Sequence, residues 1–225
     1  MSWDEWVRGA EIEPSLYAAD FSRLGEQIEL LTDAGCRCFH FDVGDGHFVE
    51  PVTIGPIVLQ SISPLLRARG VRVDVHLMVE KPEKYFRPFA DAGADSVTFH
   101  FEAVEDVPAT IAAARASGLG AAVAFNPETE PEAVAASSSS ADFVLCMSIH
   151  PGYSGQRFRE ETFDRVRRLR ASLPDGVRIQ VDGGVGVHNV RALRDEGATL
   201  FVAGAAVFEH DDPAQAYREL AQLVA

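Results

Sequence analysis

Four times along this chain an amphipathic stretch runs into a glycine within a short polar turn, and the turn runs into a β-rich apolar segment. The copies are "LLTDAGCRCFHFDV" (30–43), "FADAGADSVTFHF" (89–101), "ARASGLGAAVAF" (114–125) and "LRDEGATLFVAG" (193–204). Glycine just past a helix supplies the left-handed cap that ends it, and a short apolar run bounded by turn residues reads as a buried strand. Each copy is therefore the αβ half of a βαβ unit. A chain assembled from such halves must lay its strands parallel and cover them with helices.

Carried over the whole sequence, this reading places strands near Ile12–Ser15, Cys38–Val43, Val71–Leu77, Ser96–Phe101, Gly120–Phe125, Phe143–Met147, Arg178–Val181 and Leu200–Ala203. Helical segments fall between them. The clearest is Phe21–Ala34, where Phe21, Leu24, Ile28 and Leu31 share one stripe at helical spacing, and the last spans about Pro213–Val224. Eight alternating units in 225 residues predict an α/β protein, a single (β/α)₈ TIM barrel over 1–225, with its working residues at the C-terminal ends of the strands. An open doubly wound sheet would carry a glycine-rich turn after its first strand, and "PSLYAADF" (14–21) has no glycine. The serine run 137–140 reads as a solvated turn before the sixth strand.

A formal net charge of −14 argues against nucleic acid and against an anionic membrane as partners, since both need clustered Lys and Arg. No run approaches the roughly 20 apolar residues that span a bilayer, and Asp4, Glu5 and Arg8 interrupt the start of the chain, so no signal peptide is expected there. Cys36, Cys38 and Cys146 are an odd count without a disulfide spacing, which suits free thiols in a reducing compartment. The expectation is a soluble, cytoplasmic protein. Lys81 and Lys84 are the only lysines and sit just past a strand, which argues against an imine-forming aldolase.

His40 and Asp42, two apart on the second strand, share a face; His76 ends the third strand and Asp182 the seventh. Two imidazoles and two carboxylates suit one divalent metal, and the carboxylates could also serve as a base and an acid. His100 ends the fourth strand on the face of Ser96 and Thr98, where it either supports His76 from behind or simply packs. His47, His150, His188 and His210 fall in loops or near helix ends and read as solvated. Glycine-rich turns follow strands six to eight, "HPGYSGQ" (150–156), "DGGVG" (182–186) and "AGAAVF" (203–208). Backbone N–H groups in such turns make an anion site, so an acidic chain could still hold a phosphate.

At these residues the chain resembles the ribulose-phosphate 3-epimerase family almost end to end, through "PSLYAADF" (14–21), "HFDVGDGHFV" (40–49), "TIGP" (53–56), "DVHLMVEKP" (74–82), "HPGYSGQRF" (150–158), "VDGGV" (181–185) and "VAGAAVF" (202–208). The resemblance implies one divalent metal (Zn, Fe, Mn or Co) held by His40, Asp42, His76 and Asp182. It implies Asp42 as proton acceptor and Asp182 as donor in the epimerisation of D-ribulose 5-phosphate to D-xylulose 5-phosphate. It further implies substrate contacts from Ser15 and His76, and walls from Met78 and Met147. The implied phosphate grip is Gly152, Tyr153, Ser154 and Gly155, with Gly183, Gly184, Gly204 and Ala205. A small-molecule ketose phosphate and a homo-oligomeric assembly follow from the same likeness.

Several positions depart from the family's pattern. Gly44 stands where methionine is usual, implying a looser wall; Ser154 and Ala205 alter the phosphate turns; Val49-Glu50-Pro51 replaces "VPN". These changes motivate a second substrate, another ketose phosphate such as D-allulose 6-phosphate. A decarboxylase or aldolase of the phosphosugar barrels would need a lysine within Asp42-Val43-Gly44-Asp45, which has none. A non-catalytic sugar-phosphate binder would not need both Asp42 and Asp182.

Overall fold

The computed structural model describes residues 9–153 and 156–225. Its strands are β1 (Glu11–Pro14), β2 (Cys38–Gly44), β3 (Arg72–Met78), β4 (Ser96–His100), β5 (Gly120–Phe125), β6 (Phe143–Met147), β7 (Arg178–Asp182) and β8 (Leu200–Ala203). All the ladders are parallel, in the order β1-β8-β7-β6-β5-β4-β3-β2. A parallel bridge between Ser15 and His40 brings β1 to β2 and closes the ring. The helices around it are α1 (Leu24–Asp33), α2 (Pro56–Arg69), α3 (Glu83–Ala92), α4 (Val107–Ala116), α5 (Pro131–Ser137), α6 (Thr162–Ser172), α7 (Val190–Asp195), α8 (Ala205–Phe208) and α9 (Pro213–Val224). This is the expected (β/α)₈ barrel.

The repeated glycines act as read from the sequence. Gly35, Gly93, Gly118 and Gly197 all have positive φ at the ends of helices, and the chain turns directly into β2, β4, β5 and β8. Alternation along each strand then sorts the faces. On β2, Phe39, Phe41 and Val43 join the buried layer beneath the helices, where Phe41 meets Phe89 of α3 edge-on at 6.1 Å between ring centroids. Each such side chain contributes roughly 1.5–3 kcal/mol by leaving water. His40 and Asp42 face the other way, into the barrel.

Three local expectations need correction. Phe21 lies in a separate 3₁₀ turn (Phe21–Arg23) capped by Asp20, so it is exposed while Leu24, Ile28 and Leu31 of α1 are buried. Phe101 starts a 3₁₀ turn (Phe101–Ala103) and is not part of β4. In the serine run, Ser137 ends α5 and Ser138 is fully buried, so the run is not a solvated turn as a whole.

The barrel interior is layered. Cys38, Ala122, Phe143 and Leu200 form an apolar plug, and Ala124, Leu145, Met147 and Ile149 form another apolar patch toward the mouth. Among the other inward positions, Glu13, His40, Asp74, Ser96, Thr98 and Gln180 are polar and buried. Arg165 of α6 donates to the carbonyls of Met147 (2.6 Å) and Asn126 (2.7 Å) and lies over the Phe125 ring, tying the outer ends of β5 and β6 together. Cys36, Cys38 and Cys146 are buried free thiols, pushed up by burial. Among the described residues no helix is long and apolar enough to cross a membrane.

Candidate active site

The register of β2 and β3 sets His40 beside Asp74 and Asp42 beside His76, while β6 and β7 set Met147 beside Asp182. Because β7 lies three strands from β2 around the ring, Asp182 reaches the same point from the opposite side. His40, Asp42, His76 and Asp182 each bring one potential ligand atom to within 4.8 Å of the others. His76 Nδ1 is 3.0 Å from Asp42 Oδ1 and 3.9 Å from Asp182 Oδ2; His40 Nε2 is 3.3 Å from Asp42 Oδ1. Ser15, just past β1, donates its hydroxyl to Asp42 Oδ2 at 2.5 Å.

This donor set fits a divalent cation on two grounds. Both ring nitrogens of His40 are buried without a hydrogen bond of good geometry, a cost that proteins normally avoid. Charge demands the same. Burial pulls His40 down, yet Asp42, Asp74 and Asp182 outweigh it and hold the imidazole well above its usual pKa. The buried negative charge gathered around this imidazole is what a bound divalent cation would offset. Burial also dominates His76, pushing it down against the pull of Asp42.

The two carboxylates are driven apart. Burial would raise Asp42, but the positive charge of His40 beside it overcomes this and keeps Asp42 well below the usual carboxylate range. Asp182 is pushed up to about 7 by burial and by the negative charge of Asp42, with His40 and a backbone bond from Gly183 acting against this. One carboxylate is set to accept a proton and the other to carry one near neutrality.

Above this cluster opens a cavity of about 400 Å³. Of the residues expected in the site, Ser15, Asp42, Met78, Met147, Gly152, Tyr153, Asp182, Gly183, Gly184, Gly204 and Ala205 line it; His40 and His76 lie buried beneath. Ser154 and Gly155 lie outside the described residues. Gly183 and Gly184 have φ of +107° and +61°, and a Cβ on Gly184 would meet the Phe158 backbone at 2.9 Å, so only glycine lets this turn pass so close. No Lys or Arg is among the described lining residues, which leaves backbone N–H groups as the source of positive potential for an anion.

The space beside Gly44 is not open. A Cβ there would lie 2.6 Å from the Pro51 carbonyl oxygen and 2.8 Å from Val49 Cγ2, so the loop after β2 has closed over the missing side chain. The looser wall implied by this glycine is therefore corrected: backbone fills the volume. His100 Nε2 lies 2.9 Å from His76 Nε2, so it does touch the cluster from behind.

Other residues at the site were missed in the sequence. Tyr17, Gln156 and Glu209 also line the cavity. Below His40, Asp74 accepts from Ser96 (2.7 Å) and Thr98 (3.0 Å), and Gln180 donates to Glu13 at 2.7 Å. Glu13, His40 and Asp74 also lie within 4.8 Å of one another. The signal for Asp74 was present, since it is two residues before His76 on one strand face. Glu13, between Ile12 and Pro14, gave none.

The sequence profile described as the ribulose-phosphate 3 epimerase family matches residues 11–208, which includes every element that builds the cluster. This chain belongs to that family. Ribulose-phosphate 3-epimerase of Escherichia coli K12 is 41% identical over 206 residues, covering 89% of this chain and 90% of that protein. The Bacillus subtilis 168 protein of the same name is 35% identical over 214 residues, covering 93% and 97%. Among solved structures, 3-hexulose-6-phosphate synthase superposes with a TM-score of 0.71 at 20% identity over 96% of this chain and 100% of that one. KGPDC from Streptococcus mutans gives 0.69 at 14% over 96% and 97%. At such identities these two establish the shared barrel alone.

Proposed function

We propose that the chain inverts C3 of D-ribulose 5-phosphate, giving D-xylulose 5-phosphate, with Asp42 and Asp182 as the two proton carriers. The observation that carries this reading is the opposed placement of two carboxylates, one held charged and one raised to about 7, across one buried histidine pair. His40, Asp42, His76 and Asp182 would hold one divalent ion, and their mixed nitrogen and oxygen chemistry admits Zn²⁺, Fe²⁺, Mn²⁺ or Co²⁺. When bound, that ion supplies Lewis acidity that stabilises negative charge developing next to C3.

The chain's own groups do the rest. Asp42, ionised and fixed by the Ser15 hydroxyl, takes the C3 proton from one face of the sugar. Loss of that proton next to the C2 ketone leaves a planar enediolate. Asp182, protonated near neutrality, delivers a proton to the other face, and inversion follows because donor and acceptor lie on opposite flanks. In reverse the roles exchange. Met78 and Met147 exclude water from the reacting face, and Gly152, Tyr153, Gly183, Gly184, Gly204 and Ala205 receive the phosphate end. The cytoplasm and a homo-oligomer belong to the same reading.

Turnover of D-ribulose 5-phosphate and D-allulose 6-phosphate by protein of measured metal content tests it. Faster turnover of the pentulose with one ion per chain is expected. No turnover of the pentulose would refute the substrate assignment.

A further inference from the structure

Behind His76 runs a line of polar contacts that the reaction does not use. His76 Nε2 is 2.9 Å from His100 Nε2, and His100 Nδ1 is 3.3 Å from Glu102 Oε2. Both rings are fully buried, and Phe48 packs on His100 with ring centroids 4.7 Å apart. The centroids of the two imidazoles are 5.0 Å apart with planes 22° from parallel. That separation exceeds the nitrogen distance by 2.1 Å, about two ring radii, so the rings meet edge to edge through their nitrogens.

Two imidazole nitrogens at hydrogen-bond distance need one proton between them. Two protons would repel, and none would leave lone pairs opposed. The other end of the line decides which ring carries it. Glu102 Oε1 already accepts from the Asn126 backbone N–H at 2.8 Å and from the Thr129 hydroxyl, and Oε2 faces His100 Nδ1. A carboxylate only accepts, so His100 Nδ1 carries hydrogen; in a neutral ring its Nε2 is then the acceptor. His76 must donate from Nε2. The His76 Nδ1 lone pair then faces the ionised Asp42 at 3.0 Å, with Asp182 at 3.9 Å, an opposition that a cation seated between them relieves.

We propose that Glu102, acting through His100, holds His76 in the one tautomer whose Nδ1 can bind the metal. The inference rests on the reading of His76 as a ligand. Glu102 and His100 are positioning residues: neither reaches the cavity, and their influence passes through hydrogen-bond polarity alone. Outer partners of metal-bound histidines act in this way, fixing tautomer and ring orientation.

Glu102→Gln gives a near-isosteric test. The Asn126 N–H can only donate, so the oxygen of the substituted amide must stay with it and the amide NH₂ must turn toward His100. That reverses every bond in the line and puts a hydrogen on His76 Nδ1. Titrating the metal-free wild type and Glu102→Gln with Co²⁺ against a competing chelator should show affinity weakened about 10- to 100-fold in the variant. Long-range ¹H–¹⁵N spectra of the metal-free proteins give a second readout that needs no metal and no activity. They should show the His76 hydrogen on Nε2 in the wild type and on Nδ1 in the variant. Equal affinities, or a wild-type His76 carrying its hydrogen on Nδ1, would overturn the relay. A wild type that binds no Co²⁺ would instead overturn the metal reading, while the spectra still report the tautomer.

Discussion

Replacing Gly44 by alanine measures how tightly the loop after β2 is built onto the reacting carboxylate. The added Cβ would stand 2.6 Å from the Pro51 carbonyl oxygen, 2.8 Å from Val49 Cγ2 and 3.3 Å from Thr53 Cγ2, where ordinary contact begins at 3.4 Å. The carbonyl must therefore retreat by 0.8 Å, the difference between 3.4 and 2.6. It is backbone and cannot rotate away as a side chain would. Thr53 resists the retreat, since its hydroxyl accepts from Gly44 N–H at 2.7 Å and donates to the Asp42 carbonyl at 2.9 Å. Overpacking of this kind costs about 1–3 kcal/mol, and straining one hydrogen bond adds about 1. Gly44 has no positive φ, so alanine recovers about 0.5–1 kcal/mol of backbone entropy. The net is about 2 kcal/mol, or a fall of roughly 4–8 °C in the thermal midpoint for a chain of this size. Because the Asp42 carbonyl moves with Thr53, kcat should fall at least about tenfold. Thermal melts of the metal-free protein and steady-state rates of the loaded one check both. A midpoint unchanged or raised, with unaltered kcat, would show that the loop does not occupy this volume.

Asp42→Asn and Asp182→Asn should each lower turnover by about 10² to 10⁴, the usual loss for an acid or base; rates within tenfold of wild type would reject the roles. Glu13, pushed up to about 8 by burial and by Asp74, holds its proton in the folded chain long after the unfolded chain has released it near 4.5. Folding stability of metal-free protein should therefore fall as pH rises from about 5 to 8, by at most about 1.4 kcal/mol per unit from this group, and Glu13→Gln should flatten that slope in urea titrations. Arg165→Met keeps the packing on Phe125 but abandons the carbonyls of Met147 and Asn126, so chemical denaturation should show a loss of about 2–4 kcal/mol; a loss under 1 would mean that the two bonds contribute little.

The barrel was legible because its signals are local. Glycine caps and apolar runs recur at intervals that admit few other architectures, and His40, Asp42, His76 and Asp182 stand at strand ends where alternation fixes their facing. What the sequence hid depends on distance across the barrel. Glu13 meets Gln180 from 167 positions away, and no periodicity in either strand announces the pair. The role of His100 turned on a nitrogen contact that its strand position left open. Gly44 misled because a missing side chain suggests a gap, whereas the loop backbone had moved into it. Phe21 fitted the helical stripe by spacing and failed because Asp20 starts a 3₁₀ turn before the helix proper.

The account stands on two carboxylates serving opposite faces of one carbon, and isotope content at that carbon tests it most directly. D-ribulose 5-phosphate converted to low extent in D₂O should give product carrying deuterium at C3, because the delivered proton comes from Asp182 and not from the group that removed the first one. Product that retains the substrate's own hydrogen at C3 would contradict it.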